Sequence, residues 1–168
     1  MLSSHELFGF MSPALANDIL GYIFESDKPT YKATMNAVAE ARKVRPVFLE
    51  RQPRAQRHAM MVATLSRPGS ELVAAGLLRA WLVQKQNAML VDFLDALGLP
   101  HEKGVVEGLP KEMADDKLKA AVEGLLAKYP AESVALYLNA FNGMNEANWA
   151  NLKAMLETDP RLELGAAA

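Results

Sequence analysis

The segment from Ser70 to Gly98 constrains the fold of this chain most, because it predicts one long helix that is apolar on nearly every side. A Pro-Gly pair precedes Ser70, a residue type that caps helix N-termini. Gly98 is followed by Leu and Pro, the order typical of a helix C-terminus. A helix that is apolar all round has to be surrounded by other helices. We therefore predict an all-α fold in which this helix is central.

The same segment is long enough to cross a bilayer, but its charges exclude a membrane span. Arg79, Lys85, Asp92 and Asp95 lie along its middle and second half. Each charge near the centre of a membrane costs about 2.5 to 3.5 kcal/mol, which an alanine-rich segment does not offset. The N-terminus lacks the basic and apolar regions of a secretory signal. We expect a cytoplasmic protein that makes no membrane contact.

Proline and glycine separate the rest of the chain into further helices. Prolines stand where helices begin, for example Pro13, Pro29 and Pro53, and no stretch alternates apolar and polar residues as a strand does. The pattern predicts an irregular bundle of about eight helices around the Ser70 to Gly98 helix. Residues 1–98 form an N-terminal lobe, and residues 99–168 form a loop and an acidic three-helix part. The length of 168 residues suits one compact domain.

The charge distribution is the main functional signal. Residues 42–67 hold six arginines and one lysine against a single acid, between acidic flanks. We call these seven cations the basic belt; they are Arg42, Lys43, Arg45, Arg51, Arg54, Arg57 and Arg67. Arginine favours bidentate contacts with carboxylates or phosphates. The belt predicts pairing with acidic segments of this chain, of a protein partner or of a second copy. The alternative is an anionic ligand or nucleic acid bound near Arg54 and Arg57.

Nucleic acid is the less favoured partner of the basic belt. Phe48 is the only aromatic residue within the belt, whereas proteins that bind single strands use several stacking rings. The sequence pI of about 5.9 is also low for a dedicated nucleic-acid protein. We therefore expect the belt to meet carboxylates.

Three polar residues on otherwise apolar helix faces are candidate ligand-binding residues. Arg79 and Gln86 share a heptad stripe with Leu72 and Phe93, so we expect them on the main apolar face of the long helix. There they either bind a ligand inside the bundle or form structural hydrogen bonds. His58 lies on the apolar face of its helix and is expected to be at least partly buried, either as a proton shuttle or as a satisfied core histidine.

Five asparagines recur at intervals of three residues: Asn139, Asn142, Asn145, Asn148 and Asn151. Asn142 is expected to end one helix and Asn145 to cap the next. The alternative is an amide-lined binding surface that includes Trp149.

The sequence lacks the motifs of common enzyme classes. It has no nucleophile elbow, phosphate-binding loop or dinucleotide fingerprint. It has no cysteine, and its three histidines lack the spacing of metal ligands. We predict no catalytic residue, no metal and no cofactor. The favoured function is a non-enzymatic module for protein interaction or self-association, and a further alternative is an enzyme with an interhelical pocket near His58 and Arg79.

Overall fold

The computed structural model describes residues 1–144 and 146–165. Within these residues the chain forms ten α-helices, two short 3-10 helices at Pro68–Ser70 and Pro160–Leu162, and no strand, so the predicted all-α class is confirmed. The α-helices are α1 (Ser4–Phe10), α2 (Pro13–Ser26), α3 (Lys28–Ala41), α4 (Pro46–Glu50), α5 (Arg54–Leu65), α6 (Glu71–Lys85), α7 (Asn87–Ala96), α8 (Asp115–Lys128), α9 (Ala131–Met144) and α10 (Ala150–Thr158). None of the described helices has the length and apolar character needed to cross a membrane.

The helix starts follow the predicted local signals. Pro13, Pro29 and Pro46 each lie in the first turn of their helix. Proline suits this position because its missing N–H would have no partner there and its φ angle is already helical. Ser12 caps α2, and its side chain accepts a hydrogen bond from the N–H of Leu15. These boundaries were predictable because their causes lie within a few residues.

The predicted single helix from Ser70 to Gly98 is wrong, because the segment forms α6 and α7, which meet at Gln86. Gln86 has φ −102° and ψ 21°, and its carbonyl accepts a hydrogen bond from the N–H of Leu90 as a new helix begins. The next residue, Asn87, donates from Nδ2 to the carbonyl of Lys103 at 2.5 Å. Asparagine is unfavourable in a helix interior, since its side chain bonds to nearby backbone instead.

The helix that is buried on all sides is α9. Every residue from Ser133 to Asn142 is buried. Phe93 of α7 meets Tyr137 and Phe141 of α9 edge to face, with centroid distances of 5.5 and 5.2 Å. Such ring pairs add about 0.5 to 1.5 kcal/mol each beyond their burial. The central helix of this part of the chain is therefore α9, not the segment from Ser70 to Gly98.

The chain divides into two compact units. The N-terminal unit is Ser4–Trp81, and the C-terminal unit is the chain from Leu82 onward together with Met1–Ser3. The division falls within α6, whereas the predicted boundary follows residue 98. It falls earlier because α7 packs against α8, which places α7 with the C-terminal helices.

The core of the N-terminal unit lies between four helices. α5 packs against α1, α2 and α3, and α4 packs against α3. Leu7, Ile23, Val38 and Leu65 are buried among them, while α4 buries only Leu49. The basic belt runs from the end of α3 to the residues just after α5. It therefore includes α5, which buries His58, Met61, Thr64 and Leu65, and α4, which buries Leu49 alone.

Candidate functional site

Two arginines of the basic belt are engaged within the N-terminal unit, on α5. Arg54 donates from Nη1 to Glu25 Oε1 at 3.3 Å, and its guanidinium lies 4.5 Å from the centroid of the Phe24 ring. Arg57 donates from Nη1 to the carbonyl of Glu50 at 3.2 Å, and it lies 5.5 Å from the same ring. Cations over an aromatic face gain about 0.5 to 2 kcal/mol. Both side chains therefore have partners inside this unit.

His58 lies beside these arginines, in a buried aromatic cluster. It is 3% exposed, and its Nε2 is hydrogen-bonded to the hydroxyl of Tyr31 at 2.9 Å. Burial, with Arg54 and Arg57 close by, lowers the pKa of His58 to about 4, because an imidazolium there loses hydration and meets like charge. The ring is unprotonated near neutrality, and its geometry supports the interpretation as a satisfied core histidine.

Arg79 lies on the solvent-exposed side of α6, whereas we expected it on the main apolar face of the long helix. The buried residues of α6 are Ala74, Leu77, Leu78, Trp81 and Leu82, whereas Arg79 is exposed and Leu72 is 88% exposed. The stripe that we assigned to the core is thus the solvent side of α6. Periodicity did not identify the buried side because the segment is apolar nearly all round. Solvation of the guanidinium favours the observed orientation.

The structure brings together Arg54, Arg57 and His58 within the N-terminal unit. Gln86 is partly exposed and stands at the junction of α6 and α7. Within the described part of the chain, no hydrogen bond or ion pair links Arg79 to His58. The alternative of an enzyme with an interhelical pocket near His58 and Arg79 stays a prediction.

The amides of the asparagine series connect neighbouring chain segments in the C-terminal unit. Asn142 accepts from the N–H of Trp149 at 2.8 Å and donates to its carbonyl at 3.3 Å. Asn151 donates to the carbonyl of Met113 at 2.7 Å. Asn145, the predicted cap, lies outside the described residues, and the last α-helix begins only at Ala150. The amide of Asn142 is therefore occupied by the backbone of Trp149, and that of Asn151 by the carbonyl of Met113 and by Asp115 Oδ1, to which it donates at 2.8 Å.

A different part of the basic belt lines an open groove. This cavity, of about 410 Å³, is bounded by α4 and the residues on either side of it. We name it the α4 groove; its lining residues are Val44, Arg45, Val47, Phe48, Arg51 and Gln52. Val47 is 41% exposed and Phe48 is 45% exposed. A single short helix turn thus presents two bulky apolar side chains to solvent.

The sequence shows why α4 leaves these side chains outside. Pro46 starts the helix and Glu50 ends it, so α4 has little more than one turn. Val47, Phe48 and Leu49 are consecutive, and three consecutive residues of a helix do not share one face. Leu49 is the one that is fully buried. Val47 was not predicted as a site residue and Phe48 was considered only as a lone aromatic, although a Val-Phe-Leu run in so short a helix was the available signal.

A second, smaller cavity lies in the loop before α8. It measures about 280 Å³ and includes Pro100, His101 and Glu102. Both ring nitrogens of His101 are engaged, since Nε2 lies 2.7 Å from an Asp95 carboxylate oxygen and Nδ1 accepts from the N–H of Gly104 at 3.0 Å. In the described ranges no cluster of three potential metal ligands is present. The α4 groove is therefore the better candidate for a functional surface.

Comparison with family models, with curated proteins and with solved structures found no match for this chain. The residues of the α4 groove and their geometry therefore carry the functional proposal.

Proposed function

We propose that the chain is a cytoplasmic, non-enzymatic protein-interaction module that binds a partner protein through the α4 groove. The observation that carries the proposal is the exposure of Val47 and Phe48, at 41% and 45%, on the wall of one cavity. Neighbouring apolar side chains that stay in contact with water are typical of binding surfaces. Covering them with a partner releases about 25 cal/mol for each Å² of apolar surface removed from water.

The composition of the α4 groove supports the same function. An aromatic ring, that of Phe48, and two arginines, Arg45 and Arg51, line it together. Aromatic and arginine side chains are the types most enriched among residues that dominate protein-protein binding energies.

The fold depends little on the exposed residues of the groove. Leu49 anchors α4 with its side chain fully buried, whereas Val47 and Phe48 keep nearly half of their surface in solvent. Truncating Val47 or Phe48 should therefore remove binding surface while leaving the core intact. This separation makes the proposal directly testable.

The experiment is site-specific photocrosslinking followed by reconstitution. A benzophenone side chain is placed at position 48 or, as a matched control, at position 10, because Phe10 is an aromatic residue of the same unit that is 59% exposed. A protein that is crosslinked only from position 48 is identified, purified and titrated with the wild type, Phe48→Ala and Phe10→Ala. We expect Phe48→Ala to weaken binding about tenfold or more and Phe10→Ala to leave it unchanged.

Two results would overturn this function. One is that position 48 crosslinks no protein that position 10 does not also crosslink. The other is that the purified partner binds Phe48→Ala as tightly as the wild type while thermal unfolding shows that the variant is folded.

A further inference from the structure

We infer that the α4 groove binds an acidic amphipathic segment of the partner, which places one large apolar side chain against Phe48 and carboxylates beside Arg45 and Arg51. This inference rests on the proposed protein-interaction function and adds the chemistry of the partner.

The first support is the division of the basic belt into engaged and unengaged cations. Arg54 and Arg57 bond to groups of the N-terminal unit, and Arg42 donates to Thr64 Oγ1 at 3.4 Å. By contrast, the side chains of Arg45 and Arg51 are exposed and form no hydrogen bond or ion pair with any described residue. Arg67 is exposed and unengaged as well but does not line the groove, so two of the three unengaged arginines of the belt, Arg45 and Arg51, line the same cavity.

The second support is the absence of an acid that neutralises the groove. Glu50 is the single acid of the belt segment, and its carboxylate forms no ion pair with Arg45 or Arg51 within the described structure. A guanidinium presents five N–H donors in a fixed fork that matches a carboxylate. Two such forks beside one apolar surface are complementary to a segment that carries both acids and a bulky apolar residue.

The spacing of the arginines favours separate carboxylates over one doubly charged phosphate. Arg45 precedes α4 and Arg51 follows it, so their Cα atoms are about 9 Å apart along the helix axis at 1.5 Å per residue. Recognition of a phosphate typically requires several arginines that converge on one point. Cations at the two ends of an apolar surface instead match two acids on either side of one apolar side chain.

A second copy of this chain is a poorer occupant of the groove. In a two-fold symmetric dimer the same surface meets itself, so Arg45 and Arg51 would face their own counterparts. Like charges placed opposite each other across an interface disfavour the complex. Nucleic acid is disfavoured as well, because two groove arginines supply few of the phosphate contacts on which such binding depends.

The experiment is a selection from a random peptide library displayed against the full chain. Enriched peptides are synthesised and titrated by fluorescence anisotropy, together with versions in which Asp and Glu are replaced by Asn and Gln. We expect enriched peptides to contain a large apolar residue flanked by acids, and the amide versions to bind about tenfold more weakly. Added salt should weaken the binding of the acidic peptide, since Arg45 and Arg51 are exposed to solvent and salt screens charge pairs at such sites.

Charge-reversal variants of the protein test which arginines bind the acidic peptide. We expect Arg45→Glu with Arg51→Glu to lose the acidic peptide and to gain affinity for a peptide in which lysines replace the acids. Arg67→Glu is the matched control, because Arg67 is an exposed member of the same belt that does not line the groove. Thermal unfolding checks that all variants are folded.

The outcomes separate the inference from the function on which it rests. Peptides whose binding requires Phe48 but not their acids would overturn the acidic chemistry and leave the protein-interaction function standing. Peptide binding that is insensitive to Phe48→Ala would overturn both. Tight binding of a labelled oligonucleotide through Arg45 and Arg51, or self-association that Arg45→Glu abolishes in light scattering, would also overturn the inference.

Discussion

Acidification should destabilise the N-terminal unit through His58. The ring is 3% exposed and is hydrogen-bonded to Tyr31, and its pKa falls from 6.5 to about 4 because of burial and the nearby charges of Arg54 and Arg57. In the unfolded chain the ring takes up a proton at higher pH than in the folded chain. The unfolded state therefore binds more protons between pH 4 and 6.5, and stability falls as the pH falls through this window.

The two pKa values set the size of the effect. With 6.5 for the unfolded chain and about 4 for the folded chain, linkage gives a loss of about 2 kcal/mol between pH 8 and pH 5 and of about 3 kcal/mol by pH 4. This is a large part of the free energy of unfolding of a typical domain, about 5 to 15 kcal/mol. Well above pH 6.5 His58 is neutral in both the folded and the unfolded state, so it no longer makes the free energy of unfolding depend on pH.

The assay is urea unfolding, followed by circular dichroism, of the wild type and of His58→Gln across this pH range. Glutamine does not titrate, and its amide keeps a hydrogen-bonding group near Tyr31. Other titrating groups are common to both proteins, so the difference between the two curves isolates His58. We expect the wild type to lose about 2 kcal/mol more than the variant between pH 8 and pH 5. Equal losses, or an NMR titration that gives His58 a pKa near 6.5, would refute the reasoning.

Two further substitutions test the C-terminal unit by urea unfolding. Asn142→Ala should cost about 2 to 4 kcal/mol, because it leaves the buried N–H of Trp149 without its acceptor; a cost below about 1 kcal/mol would show that this bond is not needed. Gly104→Ala should cost about 2 to 4 kcal/mol, because residue 104 has φ +84° and a Cβ there would lie 2.8 Å from Leu90 Cβ. Gly108→Ala is its control, since a Cβ at 108 meets nothing within 4 Å, and an equal cost for both would contradict the steric explanation.

The parts of the fold that could be predicted from the sequence are those with local causes. A proline in the first turn or a serine that caps a helix acts within about four residues, as at Pro13 and Ser12. The junction at Gln86 was missed because its cause is partly tertiary. The amide of Asn87 bonds to the carbonyl of Lys103, sixteen residues away, and no periodicity in the segment itself records that contact.

The burial of α9 was missed for a related reason. Asn139 and Asn142 interrupt its apolar surface in the sequence, and polar residues usually indicate a solvated side. In the structure the Asn139 side chain accepts from the N–H of Leu2 at 2.9 Å and Asn142 pairs with the backbone of Trp149. Once such partners exist, burying an amide is no longer costly. Partners this distant in the chain are not visible in a local pattern.

The basic belt itself could be predicted from the sequence, but not which of its cations form contacts within the fold and which stay exposed. Arg54 and Arg57 are three residues apart on α5, so they lie on the same side of that helix. Both guanidinium groups lie over the ring of Phe24, which belongs to α2, about thirty residues earlier in the chain. Arg45 and Arg51 instead bracket α4, which buries only Leu49 and so offers them no equivalent surface. One charged stretch therefore contains cations that form contacts within the fold and cations whose side chains stay exposed to solvent. Substitution at Arg57 should then change stability, whereas substitution at Arg51 should change binding of the proposed partner, because Arg57 contacts Phe24 and the carbonyl of Glu50 and the Arg51 side chain is exposed.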